Sequence, residues 1–375
     1  MPFGLLALCA GASALAAPQV AVSDFGMTAD GRAVHVYTLT NDRSVSAKIL
    51  DYGGIIMELN APDRRGKLAN VVMGLADLKA YEANGGLNSL IGRYANRIKG
   101  GFTIDGRHYD LPGNPRGVTL HSGRPFYGAM VWEAKPLRES GRAGVVLSRV
   151  SPDGEQGFPG EMHISVTYTL NDANELRLDY EATTGKSTVV TLTNHVYFNL
   201  AGNGSGDVYD QQLQIMADQY TPTDADQVPT GEIAPVGGTA LDFRQLTPIG
   251  ARIRSNEQQM LFGRGYDHNF VLRKPAGDPL PLAVRMLDPA SGRLLEVLTT
   301  EPGVQVYSAN HMNGTVISAA GTTFRQGDGL ALETEHFPNS PNEPRFPSTL
   351  LRPGETLRSS TVFRMTTDTA AHLHR

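Results

Sequence analysis

The 375-residue sequence predicts an all-β fold in one large domain, and three observations carry that prediction. Its 41 glycines and 23 prolines are spread along the whole chain, which means many turns between many short elements. Runs of two-residue alternation between apolar and polar side chains recur from one end to the other. No region sustains the three-and-four apolar spacing that a long amphipathic helix needs. The length exceeds that of most single domains but suits one large β-sandwich or barrel. No internal repeat or low-complexity linker marks a boundary, so the domain is expected to run over 18–375.

Before that domain, residues 1–17 read as a secretory signal peptide. The stretch from Phe3 to Ala17 is short and apolar, and Ala14-Leu15-Ala16 fits the small-x-small cleavage rule, although the usual basic start is missing. Export is the expectation, to the periplasm, with a cytoplasmic protein bearing a loosely packed N-terminal arm as the alternative. The single cysteine, Cys9, lies in this stretch, so the body of the protein can form neither a disulfide nor a thiolate metal site.

Strands follow in order. Val34 to Leu39 alternates. Ile164, Val166, Tyr168 and Leu170 alternate with polar neighbours, Asn171 to Asn174 supplies a turn, and Leu176, Leu178 and Tyr180 resume the pattern, which is a β-hairpin. Leu294 to Leu298, Val304 to Tyr307 and Thr361 to Met365 are further strands. Short helices are expected near Leu75 to Ala83 and Gly250 to Glu257. Charged residues make up 19% of the chain and the net charge is -5, so no basic face is available to neutralise a phosphate backbone and nucleic acid is not expected as a partner. Nor is any run after the leader long and apolar enough to span a membrane as a helix.

Several segments hold side chains that can do chemistry. In the predicted strand from Val190 to Asn199, alternation puts Val190, Leu192, Val196 and Phe198 on one face, and Thr191, Thr193, His195, Tyr197 and Asn199 on the other. Such a polar and aromatic row suits the floor of a sugar cleft, because sugars present hydroxyls at their edges and C–H groups on their faces; a solvated outer face carries the same pattern. Gly329 to Pro338 is an apolar strand with Glu333 and Glu335 on one face, where a carboxylate can be solvated or serve as a general base. Gly92 to Ile98 sets Asn96 and Arg97 in what by itself is a surface turn. His121 precedes a flexible turn, Asp267 stands beside Tyr266, and Gln305 and Tyr307 share a strand face. Taken singly, His121 could equally be a structural histidine and Asp267 a turn former.

Together these segments resemble the aldose 1-epimerases, also called galactose mutarotases. The matches are Gly92-Arg-Tyr-Ala-Asn-Arg-Ile98, Leu120-His121, Thr193-Asn-His-Val-Tyr-Phe-Asn-Leu200, Tyr266-Asp-His268, Glu301-Pro-Gly-Val-Gln305, Leu332-Glu-Thr334 and Pro344 to Glu355, in that order, within a resemblance that runs from about Phe25 to Met365. The resemblance implies a large antiparallel β-sandwich whose concave face holds a free aldose such as glucose or galactose, with no metal and no cofactor. It implies His195 as general acid, Glu333 as general base, and Asn96, Arg97, His121, Asp267 and Gln305 as residues that bind sugar hydroxyls. Two positions depart from the family's pattern: Glu335 stands where glutamine is common, and Leu120-His-Ser-Gly123 replaces the usual Leu-His-Gly-Gly.

The implied reaction needs one proton to leave the C1 hydroxyl while another reaches the ring oxygen, so that C1–O5 breaks and an open aldehyde forms. Glu333 takes the first and His195 gives the second; rotation about C1–C2 and the reverse transfers yield the other anomer. An ordinary imidazole titrates near pH ~6.5, so His195 gains from a nearby carboxylate such as Asp267. Three rivals remain open: a two-carboxylate glycosidase using Asp267 and Glu333, an epimerase of hexose 6-phosphates, and a non-catalytic carbohydrate-binding sandwich. No His-Glu-x-x-His spacing suggests a metal site. A monomer and a homodimer are both compatible with the sequence.

Overall fold

Alternation in the sequence becomes burial in the computed structural model, which describes residues 18–85 and 87–368. In the hairpin of Met162–Asn171 and Glu175–Thr184, the apolar residues Ile164, Val166, Tyr168, Leu170, Leu176, Leu178 and Tyr180 all point into the core. The turn closes as its residue types require. Asn171 Oδ1 accepts hydrogen bonds from the backbone N–H groups of Ala173 and Glu175, and Asn174 takes a left-handed φ of 59°.

This hairpin is part of a nine-stranded antiparallel sheet. Its order is Glu133–Glu139, Arg142–Ser151, Met162–Asn171, Glu175–Thr184, Leu357–Thr367, Arg293–Thr299, Leu282–Leu287, Gln212–Ile215 and Thr247–Pro248. A second, six-stranded antiparallel sheet runs Tyr197–Phe198, Leu330–Glu335, Gly303–Tyr307, Asp267–Leu272, Ala217–Tyr220 and Ala234–Pro235. A five-stranded meander, Gln19–Met27 through Leu68–Asn70, packs at the side. One hydrophobic cluster joins the three sheets, with Leu39 from the meander, Val166 and Phe363 from the nine-stranded sheet, and Val304 and Leu332 from the six-stranded one. The molecule is therefore an all-β sandwich, and the burial of two facing sheet surfaces is its main source of stability.

Of the two expected helices, one forms in place and one is shifted. The helix Leu78–Ala83 forms where expected, capped by Asp77, whose carboxylate accepts from the Ala80 N–H at 2.8 Å. The second expected helix is displaced. Only the 3-10 turn Ile249–Ala251 forms early in that range, a turn closed by the Ser255 N–H on the Arg252 carbonyl follows, and the helix Gln258–Gly263 starts just beyond Glu257.

The predicted long strand 190–199 is broken. It forms Thr193–Asn194 and Tyr197–Phe198, preceded by Thr188–Val189, and the three pieces pair with Leu90–Ile91, Leu330–Glu335 and Leu350–Leu351 respectively. The segment crosses from one layer to another, so it changes partners every few residues instead of running along one neighbour. Both of its faces are buried, which rules out a solvated outer face. The alternation still sorts side chains correctly: Val190, Leu192, Val196 and Phe198 join the main core cluster.

Candidate active site

Register in the six-stranded sheet lays out the site. Asn269, Gln305 and Glu333 lie directly opposite one another across three strands, and so do Asp267, Tyr307 and Ala331, with Tyr197 beyond Ala331. Residues opposite one another share a face, and so do residues two apart along a strand. Asp267 and Asn269, Gln305 and Tyr307, and Glu333 and Glu335 therefore all present side chains to one surface. Asp267 lies on a regular strand and is buried, so its role as a mere turn former is excluded.

His195 reaches this surface from the crossing segment. Its Nε2 lies 3.4 Å from Glu333 Oε1, and the two side chains are only 10% and 2% exposed. The Tyr197 ring lies 4.8 Å from the imidazole, centroid to centroid, tilted by 32°; Tyr307 stands edge-on at 6.1 Å and His121 at 5.5 Å. Aromatic walls hold the ring's orientation while leaving its Nε2 toward the carboxyl.

The segment from Gly92 to Ile98 is not a surface turn. Arg93 has no exposed surface, and its guanidinium donates to Ser151 Oγ and to the carbonyls of Ser151, Pro152 and Pro159 at 2.7–3.0 Å. That clamp fixes the backbone from which Asn96 and Arg97 project. Asn96 sits at a left-handed φ of 59°, which asparagine tolerates better than most residues. Its N–H donates to His121 Nδ1 at 3.1 Å, its carbonyl accepts from the His121 N–H at 2.8 Å, and its side-chain amide donates to Glu335 Oε1 at 3.1 Å. Arg97 donates to Asn96 Oδ1 at 3.0 Å, to Asp267 Oδ2 at 3.0 Å and to Gln227 Oε1 at 2.9 Å. Gln305 Nε2 donates to the other oxygen of Asp267 at 2.6 Å. All seven residues singled out in the sequence, Asn96, Arg97, His121, His195, Asp267, Gln305 and Glu333, thus fall in one constellation.

Electrostatics divide the constellation in two. Burial by itself raises the Asp267 pKa, but Arg97 and the Gln305 hydrogen bond outweigh it and hold the carboxyl below the usual range, so Asp267 stays ionised. Glu333 is pushed well up, chiefly by burial and then by the Asp267 charge, with Arg97 opposing. His195 is pushed down to about 4 by burial, against which its own backbone and Asp267 act weakly. His121 is held well below the ordinary value by burial, then by His195 and Arg97. The His195–Glu333 pair thus favours the neutral acid beside the neutral imidazole. The ion pair contains the same number of protons, so one transfer between the two groups interconverts the forms.

His121, His195 and Glu333 bring three potential ligand atoms within 4.8 Å of one another. Their hydrogen bonding argues for a hydroxyl rather than a cation. Because His121 Nδ1 accepts from the Asn96 N–H, the neutral ring carries its proton on Nε2 and offers a donor there, not a lone pair.

Other residues of the surface were not singled out from the sequence. Asn269 was legible in principle, since it alternates with Asp267. Gln227 was not: it comes from a loop, at a left-handed φ of 61°, and no pattern marks it.

Comparison with known proteins finds relatives along nearly the whole chain. A family model described as aldose 1-epimerase matches residues 35–364. A galactose mutarotase of Rattus norvegicus is 43% identical over 336 residues, covering 89% of this chain and 94% of that protein. An aldose 1-epimerase of Escherichia coli strain K12 is 35% identical over 339 residues, 89% of this chain and 96% of that one. Among solved structures, a galactose 1-epimerase from Lactobacillus acidophilus NCFM superposes with a TM-score of 0.83 at 27% identity, covering 94% of this chain and 100% of the other.

Proposed function

Because the chain belongs to the aldose 1-epimerase family, an isomerase family that interconverts the anomers of aldoses, we propose that His195 and Glu333 are its acid–base pair and that free glucose and galactose are its substrates. The observation that carries this reading is the 3.4 Å approach of His195 Nε2 to Glu333 Oε1, both side chains almost fully buried among polar and aromatic neighbours. A hemiacetal lying against both groups meets one that can take a proton and one that can give it. Glu333 removes the C1 hydroxyl proton, His195 protonates the ring oxygen, and C1–O5 breaks. After rotation about C1–C2 the ring recloses on the other face, with each group reversing its role. The pair suits a reaction run in both directions, since a single proton moved between them exchanges acid and base.

Arg97, Asp267 and Gln305 form a mutually hydrogen-bonded array that orients the remaining hydroxyls, with the His121 Nε2 donor beside it. Asp267 is held ionised by Arg97 and Gln305, which suits binding and leaves it a poor general acid for glycoside cleavage. A phosphorylated hexose is disfavoured, because the cations near Arg97, Lys99 and Arg116, are already engaged by Asp224 and Asp226.

Polarimetry of fresh α-glucose and α-galactose tests the proposal. His195→Asn and Glu333→Gln should each lower kcat by about 10²–10⁴-fold while sugar binding persists. Full exchange by either variant would remove that residue from the mechanism. Export remains part of the proposal and rests on residues 1–17, which lie outside the described residues. Sequencing the N-terminus of protein recovered from the periplasm tests it, and a chain still starting at Met1 in the cytoplasm overturns it.

A further inference from the structure

Glu335 is the one acidic side chain of the recess to which the mechanism assigns nothing. It has no exposed surface, and it lies two residues from Glu333 on the same face of the strand. Its Oε1 accepts the Asn96 amide, but its Oε2 has no hydrogen-bond partner. Two more buried oxygens nearby are equally without partners. Gln305 uses its amide nitrogen on Asp267, leaving Oε1 unpaired opposite Glu333. Asn269 uses its nitrogen on Thr221 Oγ1, and its unpaired Oδ1 leans over Gly303, the residue directly opposite Glu335. The approach is close enough that a Cβ on Gly303 would stand 2.3 Å from that oxygen. Register therefore puts Glu335 Oε2 on the same face as two unpaired acceptor oxygens.

Charge balance leads to the same point. Asp267 and Arg97 neutralise each other, and Glu333 is paired with His195. A carboxylate at Glu335 would be an extra buried charge with no cation of its own, which proteins avoid by keeping the proton. The other groups around it do not supply one: Glu301 is held by His336 at 2.6 Å, Tyr94 is a neutral phenol, and Arg97 reaches Glu335 only through Asn96. Burial and the neighbouring Glu333 both push the Glu335 carboxyl well up.

We propose that Glu335 is a positioning residue that works in its protonated form, its carbonyl oxygen holding Asn96 and its O–H directed toward the unpaired oxygens of Asn269 and Gln305. Asn96 in turn orients both Arg97 and His121, so the neutral acid sets the geometry of the sugar-binding array while leaving Glu333 the only carboxyl of the strand that exchanges charge. Loss of the Glu335 proton at alkaline pH places a second negative charge beside the base and disorders the array, which gives the enzyme-catalysed rate an alkaline limb. This rests on the assignment of Glu333 as base.

Glu335→Gln keeps an accepting carbonyl for Asn96 and a donor toward Asn269, but cannot ionise. Its kcat and kcat/KM at neutral pH should stay within about threefold of the parent, and its alkaline limb, after subtraction of uncatalysed exchange, should move up or vanish. Glu335→Ala, lacking the acceptor, should lose about tenfold in kcat/KM. Infrared difference spectra between the parent and Glu335→Gln should show the loss of a protonated-carboxyl stretch at neutral pH. That band reports on Glu335 whether or not Glu333 is the base, so it separates the two ideas. Absence of the band, or a tenfold loss in Glu335→Gln at every pH, would overturn the proposal.

Discussion

Glu333 and Glu335 also make a statement about stability. An ordinary glutamate titrates near ~4.3 when the chain is unfolded, whereas both carboxyls are raised in the folded protein, so folding takes up protons. For a raised pKa, stability is fully present below the unfolded value and declines as pH rises toward the folded one. Each such carboxyl therefore erodes stability by about 1.4 kcal/mol per pH unit above pH ~4.3 until it ionises. Glu335→Gln should raise Tm at pH 7–8 by at least about 2–4 °C and leave it almost unchanged at pH 4, as measured by thermal denaturation across that range. Asp267 acts in the opposite sense: its lowered pKa adds stability above the unfolded value, lost as acid protonates it. Residue types showed which side chains could do chemistry, and the ordered motifs pointed to the same seven. The tuning of their charges was beyond the sequence, because it comes from burial and from neighbours more than a hundred residues away, such as Arg97 for Asp267.

At the level of elements, the hairpin from Met162 to Thr184 was fully legible because its alternation, its turn residues and its pairing are all local. The segment 190–199 was legible only in part. Side-chain alternation survives, but partner choice depends on strands at Leu90–Ile91 and Leu330–Glu335, which no local pattern announces. The same limit applies to Gly92 to Ile98, whose polarity suggested a turn at the surface. A buried arginine that finds four acceptors in the loop from Ser151 to Pro159 makes it an interior strut. Arg93→Ala should strand the buried carbonyls of Ser151, Phe158 and Pro159 and lower stability by about 3 kcal/mol or more, with a matching fall in the urea midpoint. Since the strut also fixes Asn96 and Arg97, kcat/KM should fall even where the variant remains folded.

Across the whole molecule, the main hydrophobic cluster runs without interruption from the N-terminal meander through both larger sheets. Calorimetry should therefore show one unfolding transition rather than two separated ones, the result expected of a single unit despite the chain's length. The all-β class was legible from turn frequency and alternation alone, whereas the sheet orders were not, since strands as distant as Glu175–Thr184 and Leu357–Thr367 are neighbours. The register that aligns Asp267, Gln305 and Glu333 has a consequence for how this site can evolve. Shifting any of the three strands by one residue would turn His268 or Phe270, Val304 or Val306, or Leu332 toward the recess and send that strand's polar residues to the opposite face. Length changes inside these strands are thus lethal to the site at a stroke. Point exchanges at the positions that touch sugar hydroxyls are the viable route to a new sugar preference, together with loop changes such as those around Gln227.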